Sequence, residues 1–236
     1  MTDRVVLITG ASRGLGLGMA EKFASRGLKV FAAARHPEKA EALKKLQKKF
    51  EDRIFLIAMD VDSDASVENA RKEVFRSTDH IDILINNAGR YAKETGESLA
   101  EVDFDQMHKT YETNVLGPLR VSKAFWSLMR AGKEKKLVHI TSQMGSIEEN
   151  KSGGTYDYRL SKAALNMLNK NLSIDLAADG VISVALHPGW VRTDMGGPEA
   201  PMDVETSVSK MTECILSLKP EQNGAFIRFD GKNLPY

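Results

Sequence analysis

The sequence predicts an α/β fold: a doubly wound sheet of about seven mainly parallel strands with helices on both faces. Three observations carry this. Short β-branched or apolar runs alternate with longer segments of helical period along nearly the whole chain. Several of those runs are apolar enough to be buried on both faces, as a parallel sheet requires. The first run is followed at once by a glycine-rich turn and a helical segment. With 236 residues, 42% of them hydrophobic and 28% charged, the chain has the make-up of a globular protein, and it is expected to form a single domain over residues 1–236.

The candidate strands are residues 4–9, 28–33, 54–59, 81–85, 137–141, 182–186 and 225–228. Parallel neighbours need crossovers, and helical segments separate these runs. The first helix is expected to start near Gly14. The second places Leu43, Leu46 and Phe50 on one face, with Lys44, Lys45, Lys48 and Lys49 elsewhere as a solvated surface. Residues 64–77 open with acidic and serine residues suited to a helix N-terminus. Residues 104–130 form either one bent helix or two, with a kink or break expected near 114–118, because Pro118 costs about 3 kcal/mol in a regular helix interior. No linker, repeat or low-complexity tract divides the chain.

Charge and cysteine content narrow the partners. A net charge of +1 gives no basic field for nucleic acid or an anionic membrane, so neither is expected as a partner. The one cysteine, Cys214, excludes an internal disulfide and suits a reducing compartment. The chain shows no signal-peptide pattern and no apolar run of bilayer-spanning length, so a cytoplasmic location is expected.

After the first strand comes Thr9-Gly10-Ala11-Ser12-Arg13-Gly14-Leu15-Gly16. Glycines let backbone amides approach a pyrophosphate, and the following helix N-terminus offers unpaired N–H groups to the same anion. The strand–turn–helix context makes this a Rossmann-type phosphate turn, although its glycine spacing is wider than the common G-x-G-x-x-G and a purely structural turn is the alternative. Gly10, Ser12, Arg13, Gly14, Leu15 and Gly16 are the candidate contacts. Cofactor choice follows from charge: at the end of the second strand an acid would bind the ribose 2′-hydroxyl of NAD, and here stands Arg35. Arg35 and Arg13 together suit the 2′-phosphate of NADP(H), against the plainer reading of two surface arginines.

Tyr158 and Lys162 stand four apart, on one face of a predicted helix whose apolar period runs through Leu165, Leu168, Leu172 and Leu176. A phenol, with an ordinary pKa near ~10, needs a stabilised phenolate to exchange protons at neutral pH. Lys162 is placed to supply that by lowering the Tyr158 pKa. Taken alone this pair is a weak signal. Tyr156 is excluded as its rival because Leu160 stands four residues on.

The glycine turn, Asn86-Asn87-Ala88-Gly89 after the fourth strand, Asn114, Ser142 after the fifth, and Tyr158/Lys162 together resemble the short-chain dehydrogenase/reductase family, in the family's order and over nearly the whole chain. The lengthened stretch between Ser142 and Tyr158 and the C-terminal residues 226–236 resemble the carbonyl-reductase branch that contains C-factor and sniffer-type proteins. The resemblance implies an NADP(H)-dependent oxidoreductase that moves hydride between nicotinamide and a carbonyl or alcohol. It implies Tyr158 as general acid/base, Lys162 also on the nicotinamide ribose, Ser142 polarising the carbonyl, and Asn114 holding a water that links Lys162 to solvent. It further implies Asp60 and Val61 as adenine contacts, Asn86, Ala88 and Gly89 as a cofactor wall, and Pro188, Gly189, Val191 and Thr193 as the loop reaching the carboxamide. A homodimer or homotetramer, assembled through the helices beginning near Phe104 and Tyr158, is implied as well.

Ser146 is a rival to Ser142, which is preferred because it directly follows a strand. His139 is expected to be a hydrogen-bonded core histidine and His187 to shape the loop after it; neither belongs to a metal set, and no metal is expected. Tyr91, Met144, Trp190, Met195 and Met202 are candidates to line an apolar substrate pocket, with ordinary packing the alternative. Residues 194–203 have the composition of a mobile lid. Two competing readings are a nucleotide-binding signalling or regulatory protein of C-factor type, whose output does not depend on turnover, and a double-bond reductase on the same scaffold.

Overall fold

The structure, a computed structural model, describes residues 4–92 and 98–236. Seven strands form one sheet: β1 (Val5–Ile8), β2 (Lys29–Ala34), β3 (Ile54–Ala58), β4 (Ile83–Asn86), β5 (Lys136–Ile140), β6 (Ile182–His187) and β7 (Phe226–Arg228). Their order is β3-β2-β1-β4-β5-β6-β7, and every neighbouring pair is parallel. The helices are α1 (Gly14–Ser25), α2 (Glu41–Lys49), α3 (Asp64–Phe75), α4 (Phe104–Tyr111), α5 (Gly117–Ala131), α6 (Tyr156–Asp175) and α7 (Val204–Ser217).

The two-residue period of the strands sorts the core into two layers. Val6, Ile8, Val30, Ile83, Val138 and Val184 pack with Phe23 of α1, Leu43 of α2 and Met211 of α7 on one face. Val5, Leu7, Phe31, Leu84 and Leu137 pack with Val67 of α3 and Phe125 of α5 on the other. Because both faces are covered, the strands are apolar at successive positions, which is why they are legible as short continuous runs.

The 104–131 segment resolves the open choice between one helix and two. Helix α4 passes through a single π-helical turn, Glu112–Leu116, into α5, and Gly117 N donates to Glu112 O, five residues back. Pro118 lies in the first turn of α5. It lacks the N–H that an α-helix would give to the Asn114 carbonyl, and a π-turn, which shifts the hydrogen-bond partners by one residue, accommodates that loss.

Helix α6 departs from the expected leucine stripe. Leu165 is buried, but most of its company on the inner face is polar: Asp157, Ser161, Lys162, Asn166, Asn169 and Ser173. The sheet and its loops present matching groups. Thr141 Oγ1 donates to Asn166 Oδ1 at 2.8 Å, Ser183 Oγ donates to Asn169 Oδ1 at 2.8 Å, and Asn169 Nδ2 donates to Tyr236 Oη at 3.2 Å. Leu160, Met167 and Ile174, seven residues apart, are exposed. The lysine-rich face of α2 is solvated, with Lys44 paired to Glu41 and Lys49 to Glu21. Among the described residues no helix is long and apolar enough to cross a membrane, and no cluster of three or more potential metal ligands occurs.

His139 is fully buried on β5, within 3.3 Å of Asn86 Nδ2 through its Nδ1. Burial, reinforced by the nearby Lys162 charge, holds its pKa down at about 3, and burial with Arg228 holds His187 at about 4, against an ordinary 6.5. Both rings are neutral in the fold and charge once exposed. Their contribution to stability is therefore complete above pH 6.5 and is lost as pH falls through about 4 and then about 3. Thermal melts across this range should show a falling midpoint on the acid side, and His139→Asn should flatten that slope. An unchanged slope in the variant would sink the assignment.

Candidate active site

Strands β1 and β4 are neighbours, yet β1 feeds α1 on one face of the sheet and β4 feeds α4 and α5 on the other. A crevice opens where the two connections part. It is a cavity of about 840 Å³, in the upper part of the range for small-molecule sites (roughly 300–1,000 Å³).

A hydrogen-bonded staple closes the crevice floor. Thr9 Oγ1 accepts from the amides of Asn87 and Ala88, both at 3.0 Å, while Asn87 Nδ2 donates to Thr9 O at 2.9 Å and Gly10 O at 3.1 Å. The fit leaves no room for side chains. Gly10 has φ +66°, and a Cβ there would stand 2.8 Å from Ala88 Cα; one on Gly16 would stand 2.3 Å from Gly10 O. Gly10, Ser12, Arg13, Gly14, Leu15 and Gly16 all border the cavity, as expected from the turn. The N-terminus of α1 opens there without a side-chain cap or a first-turn acid, whereas Ser63, Asp103 and Asp203 cap α3, α4 and α7. Its unpaired amides are therefore offered to the cavity. Arg13 Nη1 pairs with Asp194 at 2.7 Å. Arg35, Asp60 and Val61 border the same end. Beside them Asp62 accepts a hydrogen bond from Thr113 Oγ1 at 2.9 Å, and its carboxyl is pushed upward by burial against the pull of Thr113 and Arg35.

Tyr158 and Lys162 border the opposite part of the cavity. The Tyr158 ring lies 4.9 Å from that of Tyr91, and the Lys162 ammonium lies 5.6 Å from the Tyr158 ring centre. Lys162 Nζ donates to Ile140 O at 2.9 Å. Burial pushes Tyr158 up to about 12 and Lys162 down to about 8. This corrects the expected electrostatics: in the chain alone the influence that lowers Tyr158 is a hydrogen bond with Ser142, and Lys162 does not offset the burial. Asn114, buried in the π-turn, accepts from Arg90 N at 2.8 Å and donates through Nδ2 to Arg90 O at 2.9 Å and to Ser161 Oγ at 3.0 Å.

Other expected residues fall into two groups. Ala88, Gly89, Pro188 and Thr193 border the cavity, as do Tyr91 and Met195. Asn86 does not: it ends β4 buried, with its amide toward Ser122 at 3.2 Å, because the strand period turns it under the sheet while Asn87 leaves the strand and lines the site. Gly189 and Val191 also lie off the cavity wall. Gly189 packs on the Phe229 ring, and Val191 is buried in a bridge to Met202. Ser142 and Asn114 stand behind the wall and act on it through Tyr158 and Arg90. Ser146 is buried with Oγ accepting from Glu149 N at 3.1 Å, so it shapes its own loop. Met144 and Met202 are half-buried away from the cavity wall, and Trp190 is exposed, with Nε1 donating to Gly196 O at 2.8 Å. The segment expected as a lid is well bonded: Arg192 N donates to Met202 O at 2.8 Å and Gly197 N to Thr193 O at 2.9 Å. Sequence reasoning missed Asn87, Asp62 and Arg90.

Comparison with known proteins agrees with this geometry. The family model for short chain dehydrogenase matches residues 4–203. C-signal of Myxococcus xanthus is 45% identical over 159 residues, covering 67% of this chain and 95% of that protein. The carbonyl reductase Sniffer of D. melanogaster superposes with a TM-score of 0.93 at 33% identity, and an NADPH-bound carbonyl reductase from chicken fatty liver with 0.90 at 31%, each over 100% of both chains. With the family's turn, helix pair and sheet order all in place, the chain is a member of the short-chain dehydrogenase family and an oxidoreductase by that membership.

Proposed function

We propose that this chain is an NADP(H)-dependent carbonyl reductase in which Tyr158 gives a proton to the carbonyl oxygen. One observation carries the reading: a single cavity runs from the uncapped α1 turn and Arg35 to the Tyr158 hydroxyl. The NADPH-bound relative supports the choice of cofactor. Arg35 and Arg13 are placed at the turn end, where they suit a 2′-phosphate, and the α1 amides suit the pyrophosphate. Asp60, Val61, Ala88, Gly89, Pro188 and Thr193 form the remaining cofactor wall.

NADPH, when bound, supplies a hydride for the carbonyl carbon. The chain's own residues handle the oxygen. Ser142, behind the wall and beside the Tyr158 phenol, acts on that phenol as charge develops. Tyr158 Oη loses its proton to that oxygen, giving an alcohol. Lys162, fixed on Ile140 O and facing the Tyr158 ring, holds the ribose. Asn114 is proposed to bind the water that returns the proton. Its side chain is committed to Arg90 and Ser161, so its main-chain carbonyl, denied an α-helical donor by Pro118, is the atom for that water. Tyr91 and Met195 favour an apolar or aromatic carbonyl compound. The C-factor-type reading is not favoured, since the chain carries Asn114, Ser142, Tyr158 and Lys162 together, and the last two border the cavity.

Phe104 and Tyr111 on α4, and Leu160, Met167 and Ile174 on the adjacent α6, leave exposed apolar side chains on two helices that pack together. We take this face to pair with a second copy, giving a homodimer or homotetramer.

Tyr158→Phe should retain NADPH binding and lose carbonyl reduction by about 10²–10⁴-fold in steady-state assays; full activity in the variant would remove Tyr158 from the chemistry. Fluorescence titration should show NADPH preferred over NADH, with Arg35→Asp cutting NADPH affinity by roughly 10–100-fold. Equal affinities in the parent would defeat the arginine argument. Sedimentation should give an oligomer for the parent and a smaller species for Met167→Glu, and a monomeric parent would refute the assembly.

A further inference from the structure

Residues 153, 154 and 155, just before α6, all occupy the left-handed region: Gly153 and Gly154 with φ +64° and Thr155 with φ +49°. Glycine adopts this readily, but a β-branched residue such as Thr155 does so only under constraint from its surroundings. The constraint is Arg159, one residue beyond Tyr158 on α6. Its guanidinium makes three hydrogen bonds into the connection between β5 and α6: Nε to Gly153 O at 3.1 Å, Nη2 to Ser152 Oγ at 2.8 Å and Nη1 to Met144 O at 3.4 Å. The planar fork thus ties the end of the connection to its beginning.

The far arm of that fork bears on the chemistry. Met144 N donates to Ser142 Oγ at 3.1 Å, and Ser142 stands near enough to the Tyr158 phenol to pull its pKa down. A chain of contacts therefore runs from Arg159 through Met144 and Ser142 back to the residue next to Arg159. The middle of the connection is anchored separately, where Glu148 N donates to Tyr236 O at 3.1 Å. The Tyr236 ring is fixed in turn against Phe226, with centroids 5.7 Å apart, and its hydroxyl donates to Gly224 O at 2.5 Å.

We propose that Arg159 is a positioning residue that fixes Ser142 relative to Tyr158 by holding residues 144–155 in one conformation. This rests on Tyr158 as the proton donor. Arg159 touches neither the cavity wall nor the phosphate turn, so its loss acts on the carbonyl end of the reaction and leaves the nucleotide end intact.

The test pairs hydrogen exchange with kinetics on Arg159→Ala and Arg159→Lys in the full chain, with phenanthrenequinone as the carbonyl probe. Exchange in residues 142–155 should rise in the alanine variant while α1 and the sheet keep parent protection. Its kcat should fall by about tenfold or more, with the KM for NADPH within about twofold of the parent. Lysine, which still reaches one of the carbonyls, should recover part of the rate. Unchanged exchange in 142–155 overturns the clamp whatever the activity. Unchanged kcat, a loss that follows NADPH binding, or a lysine variant no better than alanine overturns the positioning role. A parent that binds NADPH but reduces no probe, with the exchange increase still seen in the alanine variant, would support the clamp and count against the reductase reading alone.

Discussion

The parting of β1 and β4 is the constraint on which the site depends. Two neighbouring strands must send their continuations to opposite faces, and the gap this leaves at their ends is then bounded by backbone from both. Thr9 and Asn87 hold that gap at a fixed width by exchanging hydrogen bonds across it. The tolerance is small, since the Gly10 and Gly16 positions have no space for a Cβ. Parallel sheets can form only by helical crossover, so the topology that buries the two apolar layers also creates the cleft. Fold and site have a common origin here.

Burial imposes a second requirement at the other end of the cavity. Removing Tyr158 and Lys162 from water raises the phenol from 10.0 to about 12 and lowers the ammonium from 10.5 to about 8, so burial separates two groups that ordinarily titrate close together and favours the neutral form of each. The lysine is kept in place by a backbone carbonyl and not by a carboxylate, so its charge stays available to the oxygen it faces. The neutral His139 nearby fits the same pattern, because a second positive charge would be costly so close to Lys162.

Most of the architecture was legible because a sheet covered on both faces writes itself as apolar runs, and all seven runs fell on strands. The edges were less clear: the fourth run begins at Ile81 in the sequence, but β4 starts only at Ile83, and Ile81 N donates to Leu128 O of α5 and not to a strand. The turn and the Tyr158/Lys162 spacing identified the cavity's two ends. Asn86 and Asn87 are identical letters, and only strand parity tells them apart; Asn86 shares a face with Leu84, and applying that parity from the sequence would have chosen Asn87. The buried face of α6 was misread because leucines were counted and polar residues were not. Positions 158, 161, 162, 165, 166, 169 and 173 fall on one helical stripe, and most of them are hydrogen-bonding residues. Arg159 carried no signal in sequence, since its partners come from a loop whose path only the fold defines.

The polar inner face of α6 has an evolutionary consequence. Greasy surfaces slide, and a helix seated only on leucines can rotate by a fraction of a turn when its neighbours change. Donor–acceptor pairs such as Thr141–Asn166 and Ser183–Asn169 work as a key in a slot, with one seating angle. The outward side bearing Leu160, Met167 and Ile174 is then free to diversify, acquiring or losing assembly contacts, without turning Tyr158 away from the cavity. Lineages can rewrite how such a molecule associates while the angle of Tyr158 stays locked.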